Sequence, residues 1–305
     1  MTKAIFTKGT CKKFELFDIF VQVALNGGWK LKEGSNLTDD QICLYTDGYN
    51  GDKHMAVHLT CYDSNYSPYN IRTTDYTDGS MRMGTMQSNN TVFYSQDGMS
   101  SFCFFPGRTA NQDTNTSYAR QYNKLFDMEY YYYVDKEVII FLVVPFKYTG
   151  LGNGLIFLGF PEQSFVEESK RNENKSYSGA VYANSGYCGN VIGSYRLRVA
   201  DNPKNLLEVP GKNTIAQGTY SLVSPLSPNI DKKFVLSEVF YGDSTTGMRG
   251  RLGKIYLLQQ GGILDGDIIE IKVNNEIQKY RYTVLGGASS NYTSFVTNAA
   301  AIRVE

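Results

Sequence analysis

The chain is predicted to be mainly β, built of antiparallel sandwich or partly open barrel domains with one short N-terminal helix. Three observations predict it. Residues 130–134 (YYYYV) and 138–144 (VIIFLVV) make the densest apolar run, split at hairpin length by Asp135-Lys136-Glu137. The 24 Tyr and 17 Phe favour strands, because aromatic and β-branched side chains suit a pleated surface and lose rotamer freedom in a helix. Short strand-like segments then recur through the C-terminal half between turn residues, the pattern of a sandwich or a partly open barrel.

The elements follow in order. Residues 1–10 (MTKAIFTKGT) lack an apolar core of signal-peptide type. Residues 12–25 (KKFELFDIFVQVAL) predict a helix whose buried stripe is Phe14, Phe17, Val21, Ala24 and Leu25. It stops at Asn26-Gly27-Gly28, and Trp29, the sole tryptophan, anchors that turn. That stripe packs either within its own subunit or on a partner chain. Strands are expected at 41–46 and 55–62. In the second, Met55, Val57, Leu59 and Cys61 share a buried face, and Ala56, His58, Thr60 and Tyr62 share a wetter one.

Residues 63–96 read as long polar loops with short strands such as 80–86. A strand pair, 92–95 and 101–105, is expected around Asp97-Gly98, and 108–122 reads as exposed. A third central strand, 155–160, follows the turn at 150–154. The run 138–144 is apolar on consecutive residues, so both of its faces must be covered. The charged stretch 166–175 is the candidate linker or surface loop between an N-terminal unit, 1–165, and a C-terminal β unit, 176–305. In the latter, strands are expected at 179–182, 195–199, 219–223, 234–240, 254–258, 268–273, 280–284 and 301–304, with a hairpin turn at Asn274-Asn275.

Composition narrows the function classes. The 30 Lys+Arg balance 30 Asp+Glu, which leaves no overall basic field to hold a nucleic-acid backbone. The longest apolar run is far short of a membrane-spanning helix. Cys11, Cys43, Cys61, Cys103 and Cys188 are odd in number and widely spaced, with no CxxC. They read as free thiols of a reducing cytoplasm.

Chemistry-bearing patterns are weak. His54 and His58 have the i, i+4 spacing of a helical metal pair, but on a strand they stand about 13 Å apart, too far for one ion. Asp113-Thr114-Asn115-Thr116-Ser117 and Asp265-Gly266-Asp267 carry oxygen ligands suited to calcium without completing an EF-hand, and polar turns explain both better. Gly150 to Gly154 lacks GxGxxG spacing, and residues 209–214 (VPGKNT) are not a Walker loop. No GxSxG occurs. Asp127, Glu129, Asp135 and Glu137 flank the central hairpin and read as solvated strand ends, the alternative being paired catalytic carboxylates. Tyr130 to Tyr133 read as strand packing, the alternative being a sugar-stacking platform. No catalytic, cofactor-binding or metal residue is assigned.

Three blocks carry a resemblance. They are Gly27-Gly28-Trp29 with Leu44-Tyr45-Thr46; the 130–160 block ending Phe157-Leu158-Gly159-Phe160-Pro161; and Tyr220-Ser221-Leu222-Val223-Ser224-Pro225-Leu226 with Gly247-Met248-Arg249-Gly250-Arg251-Leu252 and Gly266-Asp267. In this order they resemble tailed-bacteriophage virion structural proteins: tail, baseplate or neck subunits, including those of phage-tail-like bacteriocins. The resemblance implies a β-rich, non-enzymatic subunit, made in the host cytoplasm, that assembles with copies of itself and other particle proteins. No cofactor is expected, and the balanced charge and short apolar runs argue for neither a nucleic-acid partner nor a membrane. The rival expectations are a receptor- or cell-surface glycan-binding module using Tyr66, Tyr69, Tyr76, Asn89, Asn90 and Tyr94, and a carbohydrate-active enzyme.

Overall fold

The computed structural model describes residues 5–51, 55–61, 72, 78–86, 92–103, 125, 127–145, 153–160, 163–164, 180–184, 195–199, 236–243, 247–257, 263–284 and 299–305. Among these residues the fold is mainly β, with three open antiparallel sheets and one short N-terminal helix. Among the described residues no sheet closes into a barrel.

The central sheet grows from the apolar hairpin. Strands β1 (Ile5–Lys12), β7 (Asp127–Val134), β8 (Val138–Pro145), β9 (Gly154–Gly159), β11 (Ala180–Asn184) and β12 (Tyr195–Val199) lie in the order β1-β7-β8-β9-β11-β12. The second sheet runs β2 (Lys30–Leu31), β3 (Gln41–Thr46), β4 (Met55–Thr60), β5 (Asp78–Met86), β6 (Val92–Cys103). In the third, β10 (Gln163–Ser164), β14 (Gly247–Leu257), β17 (Ala299–Arg303), β16 (Glu276–Val284) and β15 (Ile268–Val273) follow one another, and β13 (Ser237–Asp243) pairs with β14.

Side-chain alternation along the central strands explains the stacking. Val134, Ile139, Phe141, Val143, Ile156 and Leu158 pack with helix α1 (Leu16–Asn26) and with Ile42, Leu44, Met55, Val57 and Leu59 of the second sheet. Tyr133, Val138, Ile140, Leu142, Leu155 and Phe157 point the other way, onto Leu252, Ile255, Ala300 and Ile302 of the third sheet. The central sheet is therefore covered on both faces, as a continuously apolar strand requires. Ile139, Ile140, Phe141 and Leu142 are fully buried and Val143 is 1% exposed. Each such side chain contributes on the order of 1.5–3 kcal/mol.

Several expectations are corrected. The helix spans Leu16–Asn26, not 12–25, because Ile5–Lys12 pairs with β7 and a 3-10 turn, Lys13–Glu15, intervenes. The Glu15 carboxylate accepts the Lys12 backbone N–H at 2.6 Å and closes that turn. Phe17, Val21 and Ala24 are buried as expected, but so are Leu16, Phe20 and Val23. Phe14 and Leu25 are only half-buried. The helix meets both the central and the second sheet, so its apolar stripe is wider than one face. Ala56 and Thr60 are also buried, and on that side of β4 only His58 is half-buried; β4 has β3 and β5 along its two edges. β6 is one strand rather than a pair, and Asp97-Gly98 falls in its register shift against β5, between the Arg82–Met99 and Gly84–Tyr94 pairs.

Strand pairing also crosses the 166–175 stretch. β9 pairs with β11 in the central sheet, and β10 pairs with β14 in the third. Residues 108–122, 166–175 and 219–223 lie outside the described residues.

Candidate functional site

A cluster of buried polar groups lies at the central hairpin turn. Asp135 is 2% exposed, so it is not the solvated strand end that the sequence suggested. Its Oδ1 accepts the Glu137 N–H at 2.7 Å and the Val138 N–H at 2.8 Å, and its Oδ2 accepts the Tyr133 hydroxyl. Its carbonyl accepts Trp29 Nε1–H at 3.0 Å, which joins the helix stop to the turn. Thr46 Oγ1 donates to the Lys136 carbonyl, tying in the second sheet. From the third sheet, Lys254 Nζ stands 3.9 Å from Asp135 Oδ2 and 5.1 Å from the Tyr133 ring centre. Lys254 adopts φ 65°, within the register shift between β13 and β14.

This node holds all three layers at one point. Burial, followed by the Asp135 charge, raises the Tyr133 phenol well above its ordinary range; Tyr49, 41% exposed, is raised in the same direction by partial desolvation and then by Asp135. Both therefore remain proton donors at neutral pH. These donors and the buried carboxylate tie the strands and the turn together.

A second node joins the central and third sheets. Asn153 Nδ2 donates to Asp265 Oδ1 at 2.8 Å and to Thr283 Oγ1 at 2.7 Å. Arg281 is 4% exposed. Its guanidinium lies 4.6 Å from the Tyr131 ring centre, its Nη2 is 3.5 Å from Asp265 Oδ2, and its Nη1 donates to the Tyr282 carbonyl at 3.2 Å. Arg303 lies 5.3 Å from the Phe6 ring centre. Lys254, Arg281 and Arg303 thus place three cations of the third sheet over three aromatic rings of the central one.

The sequence candidates sort as follows. Asp265 is engaged by Asn153 and Arg281, and Asp267 Oδ2 accepts the Leu264 N–H at 2.8 Å, so this motif is a polar turn. Asp127 pairs with Lys12 at 2.6 Å and Glu129 with Lys8 at 3.0 Å across β1 and β7. Glu137 Oε1 accepts the Tyr49 N–H at 3.3 Å. Tyr130 and Tyr132 stack at 6.2 Å on one face of the central sheet, whereas Tyr131 and Tyr133 belong to the other, so the four make no single platform. His58 stands in register with Cys43 of β3 and Arg82 of β5. His54, Asp113 to Ser117, residues 150–152 and 209–214, Tyr66, Tyr69, Tyr76, Asn89 and Asn90 lie outside the described residues, as does the Tyr94 side chain. Cys11, Cys43 and Cys61 are free thiols. No group of residues that could hold a metal ion occurs among the described residues. Nor is any helix among them long and apolar enough to cross a membrane.

What sequence reasoning missed is a surface. β15 ends the third sheet and pairs, among the described residues, with β16 alone. On and beside it Leu264, Ile268 and Ile277 are 75%, 52% and 63% exposed. An edge strand with exposed apolar side chains is a template for another chain. The signal was readable: Glu270 and Lys272 alternate with isoleucines in IIEIKV, the pattern of a strand with one wet face. No family profile matches this chain, and no curated protein matches it.

Proposed function

We propose that the chain is a non-enzymatic structural subunit of a phage or phage-tail-like particle, acting by assembly with itself and with neighbouring particle proteins. The observation that carries the assembly reading is the β15 edge, which has no second strand partner among the described residues, with Leu264, Ile268 and Ile277 exposed beside it. A subunit that completes its surface in a particle presents such edges before assembly. The phage part of the reading rests on the order of short motifs from Gly27-Gly28-Trp29 to Gly266-Asp267. The near-zero net charge supports it too, since it gives little repulsion between copies. On this reading the nodes at Asp135 and Arg281 lock three sheets into a rigid block, and the partners are proteins.

The test is to purify particles from cells that make this protein and to identify their subunits by mass spectrometry, alongside size measurement of the isolated chain. The chain is expected among the particle subunits at a fixed ratio to the others. A stable monomer absent from every particle fraction would overturn the reading.

A further inference from the structure

We propose that β15 is the interface of a symmetric dimer, in which two copies pair β15 with β15 antiparallel about a twofold axis through Ile271. The inference deepens the assembly reading above and rests on it.

The occupant is argued from charge. The other strands at or near the sheet margins carry one sign or little charge: β1 has Lys8 and Lys12, β12 has Arg196 and Arg198, β13 has Glu238 and Asp243, β2 has Lys30, and β6 has Asp97. Against a second copy in antiparallel register, β12 carries only the like charges Arg196 and Arg198, and the β1 lysines are already taken by Glu129 and Asp127 of β7. β15 carries both signs, Glu270 and Lys272, at exposed positions on one face.

The spacing selects a single register. A twofold axis through Ile271 sets Glu270 opposite Lys272 of the second copy, and Lys272 opposite its Glu270. Ile269 then meets Val273 on the other face, and Ile271 meets itself. An axis through Glu270 sets that carboxylate against its own copy, and an axis through Lys272 does the same for the ammonium. An axis between residues opposes side chains from different faces, which the period of two forbids in a continuous sheet. Opposite charges directly across strands stabilise, and like charges destabilise.

The charge row is already started within the subunit. Lys279 stands across from Glu270 in the β15–β16 pairing, and Lys279 Nζ meets Glu305 Oε2 at 2.7 Å. Lys272 of the second copy continues the alternation from Glu305 through Lys279 and Glu270. Pairing over residues 269–273 also satisfies backbone groups along the side of β15 that has no strand partner among the described residues.

The experiment is sedimentation of the full chain over a range of concentrations, with Glu270→Lys, Lys272→Glu, their equimolar mixture, and the double exchange. Wild type is expected to dimerise. Each single variant is expected to weaken the dimer about ten-fold, since two symmetric pairs turn repulsive. The mixture is expected to form a heterodimer, because both of its pairs are again opposite in sign, and the double exchange is expected to regain the homodimer. Recovery in the mixture also shows that each single variant folds. A monomeric wild type, indifference to both substitutions, or no recovery in the mixture overturns the β15 dimer. These outcomes are separate from the particle test: a chain found in particles but monomeric alone defeats only the dimer, and a dimer absent from particles defeats only the particle reading.

Discussion

Gly159 shows how one residue sets the packing of the central sheet. It adopts φ 150°, and a Cβ there would stand 2.2 Å from the Glu137 carbonyl oxygen and 2.7 Å from Val138 Cα. Both are backbone atoms held by pairing of β8 with β9, so neither can swing aside. Gly159→Ala is expected to lower stability by roughly 3 kcal/mol, read as a lowered urea midpoint; an unchanged midpoint refutes the close approach. Tyr282 is the opposite case. Its ring is buried, and its hydroxyl finds no hydrogen-bond partner among the described residues. Burial, then Asp265, pushes the phenol up to about 12. A folded pKa raised above the unfolded value near 10 means that the contribution is complete below pH 10 and lost as pH rises towards 12. Cys11 and Cys61, each pushed up to about 12 chiefly by burial, act in the same direction from about pH 9. Tyr282→Phe is expected to be neutral or stabilising by about 1 kcal/mol at pH 7, and to flatten part of the fall in stability between pH 10 and 12. A destabilised variant at pH 7 would reveal a partner for that hydroxyl.

Among the elements, those whose pattern is local were legible in the sequence. The hairpin of β7 and β8 announces itself by two apolar runs and a polar break, and β3, β12 and β15 fall where the sequence places them. At Asn274-Asn275 both residues take positive φ, 48° and 67°, as a tight two-residue hairpin turn demands. β1 was not legible. Thr7, Lys8, Gly9 and Thr10 have little apolar alternation, and the strand exists because β7 offers it an edge. The role of Asp135 was hidden for a similar reason: only the arrival of Trp29, Thr46 and Lys254 from other elements makes that turn a buried node. Helix α1 has about three turns, too few to persist without a surface to pack on. Its buried side chains lie in the same cluster as the central and second sheets of its own chain. Removing residues 1–28 therefore takes out both β1 and that helix, and the truncated chain is expected to be unfolded by circular dichroism. A folded truncation would place the stripe on a partner instead.

On the scale of the whole molecule, the central sheet is a wall shared by two cores. Phe141 faces one core and Leu142 the other, although they are neighbours in β8. Such sharing couples the outer layers mechanically, since the third sheet cannot leave without exposing one side of strands that the second sheet and the helix also need. The single tryptophan makes this measurable. Trp29 is 2% exposed and packs in the core on the helix side, with its indole N–H on the Asp135 carbonyl of the node that joins the layers, so its fluorescence reports on that core and on the node. Leu142→Ala removes a fully buried side chain from the far core and is expected to cost roughly 2–5 kcal/mol. If the wall couples the layers, the Trp29 transition in urea shifts to lower concentration by the same amount as the far-ultraviolet transition, and the two remain superimposed. Phe141→Ala, on the near side, is expected to shift both in the same way, with a cost of roughly 3–5 kcal/mol. A Trp29 transition left in place by Leu142→Ala, while the far-ultraviolet signal falls in two steps, would mean that the third sheet unfolds on its own.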